Sequence, residues 1–101
     1  MREPLPNRRA SETLAFEFDG MPWTVTWSRY RDGRLAELFL TGPTKAGASQ
    51  RLAANDAAIV VSMALQHGVG ADKLRSATMR SSSGEPAGVV ARALDLLEGA
   101  Q

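Results

Sequence analysis

Two Asp-Gly pairs, Asp19-Gly20 and Asp32-Gly33, each stand between runs in which apolar and polar residues alternate. Asp-Gly is a strong hairpin signal because both residues tolerate the positive φ that tight antiparallel turns demand. The first run sets Leu14, Phe16 and Phe18 against Ala15, Glu17 and Asp19. The second sets Trp23, Val25 and Trp27 on one face, with Thr24, Thr26, Ser28 and Tyr30 on the other. The third, Arg34 to Thr41, places Ala36, Leu38 and Leu40 on one side and Leu35, Glu37 and Phe39 on the other. A period of two with one apolar face describes a half-buried strand. Three such runs joined by two hairpin turns predict an antiparallel meander.

Gly42-Pro43-Thr44-Lys45-Ala46-Gly47 interrupts the alternation, and from about Ser49 the period becomes helical. Leu52, Asp56, Ile59, Val60, Met63, Ala64 and His67 fall on or near one stripe, and Gly68 is placed to end the helix just past its cap. A short helical turn is expected over residues 72–78, a Ser/Gly loop over residues 80–84, and Pro86 in the first turn of a last helix. Val89, Val90, Ala93, Leu94 and Leu97 mark the apolar face of that helix.

The expected fold class is α+β: a three-stranded antiparallel meander, then a long helix and a C-terminal helix packed on one sheet face. A sheet with one apolar face needs a cover, and amphipathic helices need a floor. Trp23 and Trp27 are therefore expected against Ile59, Val60 and Met63. Residues 1–12, with Pro4, Pro6, Arg2, Arg8 and Arg9, read as a flexible arm. Residues 13–98 read as a single domain and residues 99–101 as a tail.

A chain of 101 residues with 44% hydrophobic and 23% charged residues has the makings of one ordinary core. Its net charge of +1 gives no global field toward nucleic acid or a membrane surface. There is no cysteine, which excludes disulfides, thiolate metal sites and thiol radical chemistry. That composition suits a reducing compartment. The first six residues lack the apolar run of a secretory signal, and no stretch approaches the length of a membrane span. The expected setting is cytoplasmic, without membrane contact.

Several stretches, in order, resemble one family. Residues 5–20, "LPNRRASETLAFEFDG", are similar to the segment entering the C-terminal domain of adenosylcobalamin-dependent (class II) ribonucleotide reductases. "YRDGRLAELFLTGPTKAGA" resembles that family's Tyr-x-Asp-Gly, the strand after it and a Lys-x-Gly turn. "DAAIVVSMALQHGVGADKL" resembles a helix ending in Ser-x-Ala-Leu-Gln-x-Gly-Val-Pro, and "GEPAG" resembles Phe-Glu-Pro-x-Gly. The region is that of the TSCPD domain, which also occurs as short stand-alone proteins. The Thr-Ser-Cys-Pro-Asp run that names it is missing, and Gly70 stands where the family has Pro. The resemblance implies a connection with deoxyribonucleotide supply. Ribonucleotide reduction itself requires a radical-forming Cys and a reducing Cys pair, and neither can be assigned.

Individual residues yield candidates of unequal sharpness. Thr44, Lys45, Gly47 and Ser49, at the start of the long helix, form a candidate anion site, since unpaired N–H groups and a lysine converge there. The segment is not a Walker A loop; the plain alternative is a strand-to-helix connection. Arg29, Arg31 and Arg34 around the second hairpin, with Arg8 and Arg9, are candidates for a nucleic-acid surface. His67, the single histidine, reads mainly as a helix-end cation without a catalytic partner. Glu37 reads as a solvated outer-face residue or as a carboxylate for a partner's Arg or Lys, and Asp56 as a flank residue or a buried anchor. No catalytic residue, metal site or cofactor is assigned.

The leading functional expectation is a non-catalytic accessory or regulatory module, partnered with a ribonucleotide reductase or another protein, or binding a nucleotide-like anion. The second is a nucleic-acid-binding module, by analogy with the double-stranded RNA-binding fold. A hydrolase or transferase lacks a recognisable nucleophile–base pair. A homodimer is expected, through an edge strand or through the outer face bearing Leu35 and Phe39.

Overall fold

A computed structural model describes residues 2–5 and 10–99. Strands β1 (Ser11–Phe18), β2 (Met21–Arg29) and β3 (Leu35–Thr41) form one antiparallel sheet in the order β1-β2-β3. The meander and the α+β class are as the alternating runs predict. At the first turn Asp19 and Gly20 adopt φ of 54° and 76°, as a two-residue hairpin of the right twist requires. At the second, Gly33 has φ of 94° and its N–H donates to the Tyr30 carbonyl at 2.9 Å. The Tyr30 N–H in turn donates to the Arg34 carbonyl at 2.8 Å and closes the loop.

The β2–β3 register holds one irregularity with large consequences. Ser28 stands opposite Glu37, yet Arg29 stands opposite Leu35, so Ala36 is an extra residue in β3. A bulge of this kind interrupts the alternation of faces. Leu35 therefore turns inward and is buried at 2% exposure, in the core rather than on the outer face the strict alternation predicts. Glu37 is buried as well, not solvated.

Helix α1 (Ala48–Gln66) packs along β3. It ends in a Schellman arrangement: the Gly68 N–H donates to Leu65, the Val69 N–H to Ala64, and Gly68 takes φ of 94°. Helix α2 (Ala71–Ala77) and helix α3 (Val89–Leu94) follow, and a π-helical turn over Asp95–Gly99 completes the described chain. Pro86 is not helical. It pairs with Arg80 in an antiparallel bridge, held by the Ser81 N–H on Glu85 O and the Ala87 N–H on Met79 O, so α3 begins after Gly88.

The buried face of α1 is the reverse of the expected one. Ala54, Ala58, Val61, Ser62, Leu65 and Gln66 face inward. Leu52, Ile59, Val60 and Met63 are exposed at 63%, 51%, 65% and 54%. Small residues on the inner face let the helix axis approach β3 closely. Ser62 Oγ then reaches both the N–H and the carbonyl of Leu38, and Gln66 Nε2 donates to the Ala36 carbonyl. Trp23 is fully buried, with Val25, Leu38 and Leu94, while Trp27 is half-buried against the same core. Neither indole meets the Ile59–Met63 stripe, which points away from the core.

Candidate functional site

The loop from β3 into α1 is built around Trp23 and Arg51. A Cβ on Gly42 would lie 2.7 Å from Trp23 Cζ3, so only glycine lets the chain leave β3 across the indole. Ala46 is buried, and its N–H donates to the Pro43 carbonyl at 3.1 Å. Arg51 reaches back from the first turn of α1. Its Nη1 donates to the carbonyls of Pro43 and Thr44 at 3.2 Å and of Ala46 at 3.1 Å. The guanidinium thereby fixes the loop from inside. Periodicity did not single it out, although an arginine four residues past a helix-start glycine was visible.

Thr44, Lys45, Gly47 and Ser49 are all exposed. Gly47 is the N-cap, no side chain caps the helix, and the first turn carries no acidic residue. The four residues thus lie together at an uncapped, electropositive helix start. A shallow cleft beside it is lined by Thr41, Gly42, Ala48, Arg51, Leu52 and Asn55.

The arginines around the second hairpin are engaged differently. Arg29 donates to the Leu97 carbonyl at 2.9 Å and pairs with Glu98 at 3.4 Å. Arg34 pairs with Asp32 at 2.7 Å and with Glu3 at 2.9 Å, and its guanidinium lies over the Tyr30 ring. Its hydrogen bonds with Asp32 hold that carboxyl below the usual range. Arg31 is exposed. Arg8 and Arg9 lie outside the described residues. Tyr30 is buried and donates to the Glu3 carbonyl at 2.9 Å; burial first, then the Glu3 carboxylate, raises its phenol above the ordinary value. Glu3 also donates its N–H to the Gln66 carbonyl, and Arg2 Nε donates to the Gln66 side chain.

Two polar clusters escaped the sequence reading because their members are far apart in the chain. On the sheet face opposite the core, Ser28 Oγ donates to the buried Glu37 carboxylate at 2.7 Å. At the C-terminal end, Asp95 accepts from Arg80 at 2.7 and 2.8 Å and from Arg75 at 3.1 Å. Arg80 first, then Arg75, draws the Asp95 carboxyl below its ordinary value against the opposing effect of burial. A cleft of about 390 Å³ lies between these regions, floored by Leu35, Leu65 and Val69 and edged by Arg34, Asp72 and Glu98.

His67 is exposed, and its Nδ1–H donates to the Met63 carbonyl at 2.9 Å, one turn back in α1. Asp56 is exposed on the same helix. Among the described residues no three of His, Asp or Glu converge as metal ligands, and no helix is long and apolar enough to cross a membrane.

Two curated proteins match nearly the whole chain. A vitamin B12-dependent ribonucleotide reductase of Agrobacterium fabrum (strain C58) is 36% identical over 89 residues, 88% of this chain and 7% of the reductase. The vitamin B12-dependent ribonucleotide reductase of Bradyrhizobium diazoefficiens (strain USDA 110) is 38% identical over 89 residues, again 88% of this chain and 7% of that protein. This chain is a relative of the vitamin B12-dependent ribonucleotide reductases. The kinship bears out the resemblance carried by the four ordered fragments. It is confined to one short segment of each reductase: the chain spans about 7% of the length of the curated relatives it matches. No family model matches, and no solved structure does. In this reductase relative, the start of α1 carries no side-chain cap and the outward face of the same helix exposes Leu52, Ile59, Val60 and Met63.

Proposed function

We propose that this chain is a non-catalytic accessory module that docks on a vitamin B12-dependent ribonucleotide reductase. One observation carries the reading: a chain related to a small segment of these reductases holds no cysteine. Reduction of a ribonucleotide by radical and dithiol chemistry requires that residue in defined roles, so the reductase partner supplies the reaction. A cytoplasmic setting belongs to the same reading and rests on the cysteine-free composition. The test is capture of a purified reductase on the immobilised chain, with an assay of the chain alone supplied with ribonucleotide, reductant and adenosylcobalamin. Binding to the reductase and no deoxyribonucleotide from the chain alone are expected. Turnover by the isolated chain, or no binding at any concentration, sinks the reading.

The second reading is a nucleotide-like anion held by Thr44, Lys45, Gly47 and Ser49. The uncapped N-terminus of α1, free of acidic side chains in its first turn, supports it. An exposed helix-end charge interaction contributes only about 0.3–1 kcal/mol, so binding is weak and salt-sensitive. Calorimetry with phosphate, dATP and a short RNA duplex separates the possibilities. Preference for dATP, lost in Lys45→Ala and kept in His67→Ala, supports the anion site. Preference for the duplex with a steep salt slope points instead to a nucleic-acid surface around Arg31.

A further inference from the structure

Helix α1 turns four large apolar side chains, Leu52, Ile59, Val60 and Met63, away from the core. Taking about 100° per residue, Leu52, Asp56, Ile59, Val60, Met63 and His67 all fall within an arc of about 100°, opposite the face that packs on β3. Leu52, Ile59, Val60 and Met63 are each more than half exposed. Two titratable residues, Asp56 and His67, punctuate this stripe. Asp56 makes no hydrogen bond or ion pair among the described residues. His67 is exposed and uses Nδ1–H on the Met63 carbonyl, which leaves Nε2 outside that hydrogen bond.

The spacing of these two charges selects an occupant. Asp56 and His67 lie eleven positions apart in the sequence, close to three turns of helix or about 16 Å, with Val60 and Met63 between them. In an antiparallel pair of identical helices related by a two-fold axis, positions equidistant from the axis face each other. An axis level with Val61 and Ser62 sets Val60 of one copy against Met63 of the other. The same axis sets Asp56 against His67, twice. This register brings Asp56 and His67 together at both ends and keeps the apolar side chains of the stripe at the centre. With Nδ1–H already committed, His67 donates from Nε2 to the Asp56 carboxylate of its partner when the ring carries its second proton.

We infer that the outward face of α1 is a self-association surface, on which a second copy of this chain docks antiparallel, with Val60 against Met63 and Asp56 against His67 across a two-fold axis. An interface of this kind is isologous and closes at two copies. Four half-exposed apolar side chains supply on the order of 400 Å² per copy, short of the roughly 800 Å² per partner of a standard interface. The dimer is therefore reversible and concentration-dependent. The inference stands apart from reductase docking, since neither result decides the other.

Sedimentation equilibrium of the full chain, from about 5 to 500 µM at pH 6, tests it, with circular dichroism confirming that each variant is folded. The wild-type chain is expected to move from monomer to dimer across that range. Met63→Glu and Val60→Glu each place a carboxylate in the apolar centre and should leave the monomer alone. Asp56→Lys faces two cations and should weaken the dimer about three- to tenfold, the range expected of two exposed charge pairs. Adding His67→Glu to Asp56→Lys should restore the wild-type constant to within about threefold. A monomer at every concentration overturns the inference and leaves the stripe to a different protein. So does a dimer that Met63→Glu leaves intact, or a double variant no tighter than Asp56→Lys alone.

Discussion

Ser62 Oγ lies 3.0 Å from both the amide nitrogen and the carbonyl oxygen of Leu38, one hydroxyl serving the donor and the acceptor of a single edge residue. Both backbone groups belong to a buried strand, where an unmet hydrogen-bonding group costs about 1–3 kcal/mol. Ser62→Ala should therefore destabilise the fold by about that amount, although it removes only one oxygen. Urea unfolding followed by tryptophan fluorescence measures it. A loss below about 0.5 kcal/mol would mean that water replaces the hydroxyl and that α1 does not seal the edge.

Trp23 is fully buried, and its Nε1–H has no hydrogen-bond partner among the described residues. Trp23→Ala should cost about 3–5 kcal/mol through the cavity left behind. Trp23→Phe should cost much less, because removing an unpaired buried donor offsets part of the lost packing. Gly42→Ala pushes a methyl into the same indole and should cost about 1–3 kcal/mol. Thermal unfolding of the three variants gives the order; Phe as damaging as Ala would contradict the orphaned donor.

Asp95 provides the pH dependence. Its carboxyl is held below its ordinary value by Arg80 and Arg75. A carboxyl whose folded pKa is depressed contributes stability above its unfolded pKa, about 3.9, and loses it as pH falls through the folded value. The wild-type chain should thus lose stability from about pH 4 downward more steeply than Asp95→Asn, whose side chain does not titrate. Urea midpoints between pH 7 and pH 2 would show it; parallel curves would remove Asp95 from the account.

Ser28 donates to the buried Glu37 carboxylate at 2.7 Å. Hydrogen bonds to a charged group are worth about 1.5–3 kcal/mol, so Ser28→Ala should destabilise by about that much, and Ser28→Thr, which keeps the hydroxyl, by clearly less. Equal losses in both variants, read from unfolding midpoints, would assign the effect to packing alone.

The meander was legible because Asp19-Gly20 and Asp32-Gly33 specify turns by local backbone preference, and the strands between them alternate cleanly. The Gly68 stop was legible for the same local reason. The bulge at Ala36 left no local mark, so strict alternation set Leu35 outward; Glu37 keeps its outer face, and its burial there beside Ser28 depends on packing that spacing does not encode. The inner face of α1 was read the wrong way round because hydrophobicity favours Leu52, Ile59, Val60 and Met63 over Ala54, Ala58 and Ser62. Close approach to an edge strand selects small residues instead, and that requirement comes from β3, not from the helix. At the candidate site, glycine and lysine around the start of α1 were visible. The grip of Arg51 on three carbonyls depends on a loop path that spacing does not encode.

Ser62 caps the N–H and the carbonyl of Leu38 and Gln66 caps the Ala36 carbonyl on β3, while among the described residues β1 pairs only with β2. The sheet therefore has one growing end. A strand from another molecule meets no such caps alongside residues 11–18, and two copies meeting there would form a six-stranded sheet. Runaway stacking of the cross-β kind needs two open edges on every unit. While α1 stays seated on β3 such a ladder terminates at its second member, and detachment of α1 is the event that would license fibre growth.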